Sequence, residues 1–222
     1  MSKAKQVYEK YYDHYKDENE TEFKRMFKNG VLKDTVLKAV IKAFKKREVK
    51  SACDIGCGYG FITSFLNRQG FNVDGADLSE TRIKRAKHLN PGPKYYLLDA
   101  ENNKLPRKYD AVYSLNTIEH IYEFDSFLKN IYDSLNDNGL VILGTPNLLA
   151  PRTRLRVLLG REHNMALKTH IHFFTMKNLR ELLLRNGFEV YQCFGTGKLS
   201  GLSLNLSGNI YIIGIKKKSR QK

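Results

Sequence analysis

The stretch at residues 51–60, SACDIGCGYG, constrains the fold of this chain more than any other. Small and apolar residues precede its glycines, and Phe61, Ile62, Phe65 and Leu66 follow at helical spacing. The pattern predicts a buried strand that runs through a glycine turn into a helix. Because glycine lacks a Cβ, a ligand can approach such a turn closely and meet the N–H groups of the helix. The simpler interpretation is an ordinary tight connection between a strand and a helix.

Composition places the chain among globular proteins. Its 222 residues suffice for one well-buried domain with a small appendage, and 41% of them are hydrophobic. No apolar run approaches the roughly 20 residues needed to span a bilayer, and the start is too polar for a secretory signal. The three cysteines lack metal-site spacing and suit a reducing compartment. We therefore expect a cytoplasmic protein.

The chain is strongly basic. Lys and Arg outnumber Asp and Glu by 38 to 23, which gives a net charge of +15. Such a balance favours association with nucleic acid, a lipid surface or a phosphorylated substrate. Much of the excess lies at residues 42–50 and 216–222, where solvated charge needs no partner. Peripheral membrane contact and RNA contact therefore both stay open, as does the oligomeric state.

From residue 49 onward, strand and helix patterns alternate, as they do in a parallel sheet built from βαβ units. The predicted strands lie at 49–55, 71–77, 95–98, 109–115 and 140–144, and the predicted helices at 59–69, 80–89, 118–135 and 176–186. Two final strands, 188–194 and 210–215, flank a Gly/Ser-rich link and predict an antiparallel hairpin. We expect an α/β fold, doubly wound, with a mostly parallel seven-stranded sheet, an antiparallel C-terminal hairpin strand and helices on both faces.

Three segments are expected along the chain. Residues 1–48 predict an N-terminal helical cap with helices at about 3–28 and 31–47, residues 49–216 hold the α/β domain, and residues 217–222 form a basic tail. The tyrosines at 8, 11, 12 and 15 either close over a ligand or pack a helix on the core. The stretch APRTRLRVLLGR at 150–161 predicts a lid helix with solvated arginines, or a surface for a membrane or an acidic or lipid-linked acceptor.

Three carboxylates follow the ends of successive predicted strands: Asp54, Asp77 and Asp99. In an open α/β sheet these strand ends line the crevice where ligands bind. Asp77 lies about 20 residues beyond the first glycine. At this spacing, the acidic group of a nucleotide site accepts hydrogen bonds from the hydroxyls of the ribose. The alternative role for Asp77 is to cap the helix that starts near Ser79.

The glycine spacing G-x-G-x-G departs from the G-x-G-x-x-G of nicotinamide dinucleotide sites. This spacing, the Asp99-Ala100 pair and the terminal hairpin resemble the class I S-adenosylmethionine-dependent methyltransferases, over nearly all of 49–215. The resemblance implies S-adenosylmethionine as cofactor, held by Asp54, Gly56, Gly58, Gly60, Asp77, Leu78, Asp99, Ala100, Leu115 and Asn116. In that family the glycine turn holds the methionine part and Asp77 the ribose. By the same resemblance, Leu78, Asp99 and Ala100 would surround the adenine. Leu115 and Asn116 would border the methylsulfonium group.

The run NTIEHI at 116–121 resembles the branch that includes the ubiquinone-pathway O-methyltransferases. The resemblance implies transfer of a methyl group to an oxygen atom of a small or lipid-linked acceptor. Transfer to a nitrogen atom is the second choice. RNA methylation and cofactor binding without activity are the alternatives.

The candidate catalytic residues are His120, Glu119, His170 and His172. A histidine titrates near neutrality and can take the proton of a hydroxyl. The structural alternatives are a ring bonded to backbone for His120 and simple packing for the other two histidines. Some relatives bind Mg²⁺ or a similar ion through Glu-x-x-Glu-His and later histidines. This chain has Asn116 in place of the first Glu, so if a divalent cation is bound, Glu119, His120 and His170 are its expected ligands.

Overall fold

The predicted seven-stranded sheet is present, and it is mostly parallel with an antiparallel strand near the C-terminus. This computed structural model describes residues 27–28, 31–32, 34–161, 170–197 and 199–217. The chain divides into two units, Met1–Asp99 and Ala100–Lys222, of which the first supplies three strands of the sheet and the second four. No helix within the described ranges is long and apolar enough to cross a membrane.

The first unit alternates strands and helices as the sequence predicts. Its elements are β1 (Phe27–Lys28), β2 (Val31–Leu32), α1 (Thr35–Lys46), β3 (Ser51–Ile55), α2 (Phe61–Arg68), β4 (Asn72–Asp77), α3 (Glu80–Leu89) and β5 (Tyr95–Leu97). Strands β5, β4 and β3 lie side by side in that order and run parallel, while β1 and β2 form a separate antiparallel pair. The carboxyl ends of three successive strands therefore meet at one edge.

Helix α1 begins later than the sequence pattern indicates. The carboxylate of Asp34 accepts hydrogen bonds from the N–H groups of Val36 and Leu37 at 2.7 and 2.9 Å, which is the geometry of an N-cap. The expected start at residue 31 is wrong because β2 pairs there with β1. The earlier helix, expected at about 3–28, and the tyrosine cluster lie outside the described residues, apart from β1, which is a strand.

Aromatic rings fill the core of the first unit. Phe44 of α1 meets Phe71 edge to face, with ring centroids 5.2 Å apart. Tyr95 of β5 packs with Ile83 and Ala86 of α3. Its ring lies over β4, where a Cβ on Gly75 would come within 2.7 Å of it. The ring of Tyr95 therefore helps to position β5 beside β4, and it fits there only because β4 has a glycine at position 75.

The second unit completes the sheet with four strands. Its elements are β6 (Tyr109–Leu115), α4 (Phe124–Ser134), β7 (Leu135–Pro146), α5 (Pro151–Leu158), α6 (Met176–Arg185), β8 (Phe188–Thr196) and β9 (Asn209–Lys216), with short 3₁₀ turns at Ile118–His120 and Leu204–Leu206. The strand order is β6, β7, β9, β8, in which β6 and β7 are parallel and β9 is antiparallel to both of its neighbours. The predicted C-terminal hairpin is confirmed, and β9 lies between β7 and β8.

The helix predicted over 118–135 is wrong at its start, over residues 118–123. Residues Ile118–His120 form a 3₁₀ turn, and α4 starts only at Phe124. The carbonyl of Glu119 accepts hydrogen bonds from the N–H groups of Ile171 and His172 at 3.0 and 3.2 Å. Because that carbonyl bonds to a distant segment, it does not serve a helix running through this point.

Candidate functional site

The glycine turn between β3 and α2 is anchored on the end of β4. The N–H groups of Gly56 and Cys57 donate to the carbonyl of Ala76 at 2.8 and 3.1 Å. Gly56, Gly58 and Gly60 have φ angles of 78°, 54° and 75°. Alternate residues of the turn are thus left-handed, a conformation that residues with a side chain rarely adopt.

Gly58 and Gly60 are required for different reasons. A Cβ on Gly60 would lie 2.5 Å from the hydroxyl oxygen of Tyr95, which donates a 2.9 Å hydrogen bond to the carbonyl of Asn90. A Cβ on Gly58 would meet nothing within 4 Å. Gly60 therefore makes room for a neighbouring ring, while Gly58 exposes its backbone to open space that a ligand can enter.

Asp77 ends β4 and turns its carboxylate towards the glycine turn. One carboxylate oxygen accepts from the N–H of Gly58 and the other from the N–H of Ser79, both at 2.9 Å. A carboxylate offers about four acceptor sites, so each oxygen can still accept from a ligand hydroxyl. The capping role belongs to Ser79, whose hydroxyl accepts from the N–H of Arg82 at the start of α3.

Burial raises the pKa of Asp77, because desolvation disfavours its ionised form. The positive charge of Arg82 and the backbone N–H groups act in the opposite direction. Desolvation also raises the pKa of the Cys57 thiol within the turn, and the negative charges of Asp77 and Asp54 add to that effect. The thiol therefore stays neutral at physiological pH and acts as a small packing group.

The other predicted residues of the first unit take up supporting positions. Asp54 is buried at the end of β3 and accepts a 2.7 Å hydrogen bond from the hydroxyl of Thr63, which ties β3 to α2 beneath the turn. Leu78 and Asp99 are half-buried and follow the ends of β4 and β5. The first unit thus brings an open glycine backbone and strand-end carboxylates to one edge of its strands.

Three predicted cofactor residues belong to the second unit. The carbonyl of Ala100 accepts a 3.0 Å hydrogen bond from the side chain of Asn130 in α4. Leu115 ends β6, and Asn116 follows with a φ angle of 54° while its N–H donates to the carbonyl of Gly144 at 2.8 Å. A non-glycine residue held at positive φ marks a strained position at the end of the strand.

Glu119, His120 and His170 come together in the second unit. Their nearest nitrogen and oxygen atoms all lie within 4.8 Å of one another. The ring centroids of the two histidines are 4.8 Å apart in an edge-to-face arrangement, and Nε2 of His170 lies 4.0 Å from Oε1 of Glu119. We refer to these three residues as the acid-histidine cluster.

The carboxyl of Glu119 is the most buried member of the cluster, with 1% of the residue exposed. Thr145 donates a 3.1 Å hydrogen bond to Oε2, while Oε1 accepts no hydrogen bond from the described residues. Burial raises the pKa of Glu119 to about 7, although the bond from Thr145 opposes the shift. Near neutral pH this carboxyl can therefore gain or lose its proton. Its Oε1 oxygen can accept a hydrogen bond from a ligand or bind a cation.

His172 has different surroundings from the cluster. Its ring packs on Phe124, with centroids 4.4 Å apart, and burial lowers its pKa. The structure therefore groups three of the four predicted catalytic side chains.

Sequence reasoning missed Tyr95, Thr63 and Thr145, which hold the turn and the cluster in shape. They belong to no motif, so only their contacts identify them.

The chain is similar to known proteins in sequence and in fold. Residues 23–193 match the family model described as a methyltransferase domain. The ubiquinone biosynthesis O-methyltransferase of Rickettsia prowazekii (strain Madrid E) is 31% identical over 171 residues, which are 70% of this chain and 63% of the relative. That of Rickettsia canadensis (strain McKiel) is 27% identical over 150 residues, 64% of each chain. This chain spans less than two thirds of the length of these relatives.

The fold is shared with the magnesium protoporphyrin IX methyltransferase of Synechocystis PCC 6803, solved with bound SAH. The TM-score is 0.67 at 16% sequence identity, and the match covers 96% of this chain and 100% of the other. At this identity the likeness shows a common fold.

Proposed function

Because this chain belongs to the methyltransferase-domain family, we propose that it transfers a methyl group from S-adenosylmethionine to an oxygen atom of a small or lipid-linked acceptor. One observation carries the proposal: the open backbone of Gly58 lies beside the strand-end carboxylate of Asp77. A nucleoside cofactor needs both features, since its ribose offers paired hydroxyls and its remaining part must approach the backbone closely.

The residues of the first unit fit such a cofactor. Asp77 retains acceptor capacity on both oxygens for the two ribose hydroxyls, and hydrogen bonds to a carboxylate are strong because they are charge-assisted. Leu78 offers an apolar contact for the adenine, and Asp99 offers an acceptor for its amino group. The open space at Gly58 accommodates the methionine part.

The acid-histidine cluster supports the removal of a proton from the acceptor. When bound, S-adenosylmethionine supplies an electrophilic methyl group, so the protein has to align the acceptor and take its proton. Glu119 is buried, whereas His120 is partly exposed, so an acceptor hydroxyl reaches the imidazole more easily than the carboxylate. We assign the base to His120 and assign its positioning to His170 and Glu119.

This assignment predicts the kinetics of two histidine variants. We expect His120→Ala to slow turnover about 10² to 10⁴-fold, the usual contribution of a general base, and to leave cofactor affinity unchanged. His172→Ala is the matched control, because that ring packs on Phe124 and not on the cluster. Steady-state rates and calorimetric affinities measured for both variants test the assignment, and equal losses in the two would contradict it.

The acceptor class can be tested by following conversion of the cofactor. Purified protein is incubated with methyl-labelled S-adenosylmethionine and a panel of catechols and phenols with and without polyprenyl chains, and label transfer is measured. We expect label on an acceptor oxygen, and none with the Asp77→Ala variant. Cofactor binding without transfer to any acceptor would instead support a binding protein without activity.

The cluster fits a divalent cation as an alternative to the base role of His120, since a lone pair that binds a cation cannot also take a proton. One carboxylate and two imidazoles form a mixed oxygen and nitrogen donor set, which suits Zn²⁺ or Mn²⁺ better than Mg²⁺. The Oε1 oxygen of Glu119 supplies the negative ligand, and a cation held there would lower the pKa of an acceptor hydroxyl.

Calorimetric titration with Mn²⁺ and Zn²⁺ at about pH 8, where Glu119 is largely ionised, tests this site. We expect binding that Glu119→Gln abolishes and that His172→Ala leaves intact. Binding that is unchanged in Glu119→Gln would contradict the assignment.

RNA is the second acceptor class, favoured by the net charge of +15. If RNA is the acceptor, its affinity should fall steeply with salt, because each phosphate contact releases a counterion. Salt-independent affinity would count against this class.

A further inference from the structure

Helix α5 leaves several large apolar side chains in solvent. Leu155 and Val157 are each 57% exposed, Leu158 is 82% exposed, and Leu159 at the C-cap is 60% exposed. Thr153 is the buried residue of this helix. Exposed apolar side chains concentrated in one element mark an interaction surface, whereas scattered ones need no explanation.

The apolar side chains of α5 form a stripe. Leu158 and Leu159 lie three and four positions after Leu155, so all three side chains project from one side of the helix. The arginines of the same segment add positive charge: Arg152, Arg154 and Arg161 are exposed. An apolar stripe accompanied by exposed cations is typical of helices that lie in the surface of a bilayer.

A second apolar segment is tied to the chain that leads into α5. The side-chain amide of Asn147 donates to the carbonyls of Leu204 and Ser207 at 3.2 and 2.9 Å. The backbone N–H of Asn147 donates to the carbonyl of Gly208. Ahead of this anchor lie Leu199 and Leu202, which are 43% and 79% exposed. The hydrogen bonds of Asn147 therefore link the chain that precedes α5 to the chain that follows Leu202.

We propose that α5, together with Leu199 and Leu202, docks this protein on a bilayer that contains anionic lipid. The arginines attract the lipid headgroups, and the leucines enter the boundary between headgroups and acyl chains. The net charge of +15 favours the same surface.

Two other occupants fit these features less well. RNA would engage the arginines through its phosphates but gain little from exposed leucines. A second copy of this chain on a two-fold axis would bring like-charged arginines together, which opposes association. A bilayer satisfies the apolar and the cationic groups at once.

Vesicle co-sedimentation tests the proposal and requires neither cofactor nor turnover, so its failure is distinct from failure of the proposed methyl transfer. The full chain is mixed with vesicles of phosphatidylcholine alone or of an equal mixture of phosphatidylcholine and phosphatidylglycerol. We expect binding to the mixed vesicles, weakening as salt rises, and little binding to phosphatidylcholine alone.

Two double variants probe the two kinds of contact. We expect R152E/R154E and L155S/L158S each to weaken binding to mixed vesicles about tenfold or more. The matched controls are K38E/K42E, which makes the same charge change on α1, and L89S/L184S, which removes exposed leucines elsewhere. Both controls should bind within about twofold of the unmodified chain. Circular dichroism confirms that every variant is folded.

Several results would overturn the proposal. One is an absence of binding to mixed vesicles, and another is an equal loss in K38E/K42E, which would reflect net charge alone. A loss in R152E/R154E with none in L155S/L158S would point to a polyanion such as RNA. A change of oligomeric state in L155S/L158S, seen by light scattering without any vesicle binding, would assign the stripe to a second copy of the chain.

Discussion

Gly58 and Gly60 lie two residues apart in the same turn, and their substitution should have different consequences. Gly60→Ala places a Cβ 2.5 Å from the hydroxyl oxygen of Tyr95, at a φ angle of 75°. We expect it to lower the free energy of unfolding by about 2 to 4 kcal/mol, from overpacking together with left-handed strain. Urea unfolding followed by circular dichroism measures this loss.

Gly58→Ala is the companion substitution, because it carries the strain of a positive φ without the clash. We expect a loss of only about 1 to 2 kcal/mol in stability, and at least a tenfold loss in affinity for S-adenosylmethionine, because the Cβ occupies the open space. Gly58→Ala protein with unchanged affinity would contradict the view that the ligand enters at this point.

Glu119 makes stability depend on pH. Its folded pKa of about 7 lies above the value of 4.5 for an unperturbed glutamate, so between these values the folded state binds more protons than the unfolded state. The stabilising contribution of the protonated carboxyl is therefore complete below about pH 4.5 and is lost as the pH rises through about 7. The expected loss from this group is about 3 kcal/mol.

Glu119→Gln should remove that dependence. With a chelator present, urea unfolding at about pH 5 and about pH 8 should show a larger fall in stability for the unmodified protein than for the variant. The same fall in both proteins would show that other groups carry the pH dependence.

At the scale of elements, α6 shows how far local sequence determines structure. The hydroxyl of Thr175 accepts from the N–H of Asn178, and the side chain of Asn178 accepts from the N–H of Thr175. In this capping box, two backbone N–H groups at the start of the helix each have a hydrogen-bond partner. The start of α6 was predictable because Thr175 stands just before an apolar stripe, whereas the box was not, since its usual motif has Glu or Gln in the place of Asn178.

Thr175→Ala should therefore destabilise the protein by about 1 kcal/mol, the usual value of an N-cap side chain. Thr81→Ala is a matched control, since Thr81 lies exposed on α3 and is not its N-cap. Equal unfolding midpoints for the two variants would show that the box contributes little.

The error in the helix predicted over 118–135 has a physical cause that neighbouring residues do not show. Strand and helix periodicity is local, so most elements of the sheet and its helices could be predicted from neighbouring residues. The break after Ile118–His120 arises instead because Glu119 bonds to Ile171 and His172, about 50 residues away in the chain. Tyr95 escaped prediction in the same way, because Gly60, one of the two glycines that its ring requires, lies 35 residues earlier.

At the scale of the whole molecule, two sets of candidate functional residues belong to different units of the chain. The first unit carries the glycine turn with Asp77, and the second carries the acid-histidine cluster. The glycines and strand-end acids were predictable because their spacing is a sequence motif. The approach of His170 to Glu119 was not determined by spacing, since it depends on how the segment near residue 170 folds back.

Calorimetric titration with S-adenosylmethionine tests the central claim most directly. The unmodified protein should bind one equivalent, and Asp77→Ala should weaken binding about 10²-fold or more, because two charge-assisted hydrogen bonds to the ribose are lost. Asp77→Asn, which keeps the shape of the side chain, should also bind weakly, while Asp137→Ala, an exposed acid on β7, should bind normally. Absence of binding by the folded, unmodified protein, or full affinity in Asp77→Ala, would contradict the account.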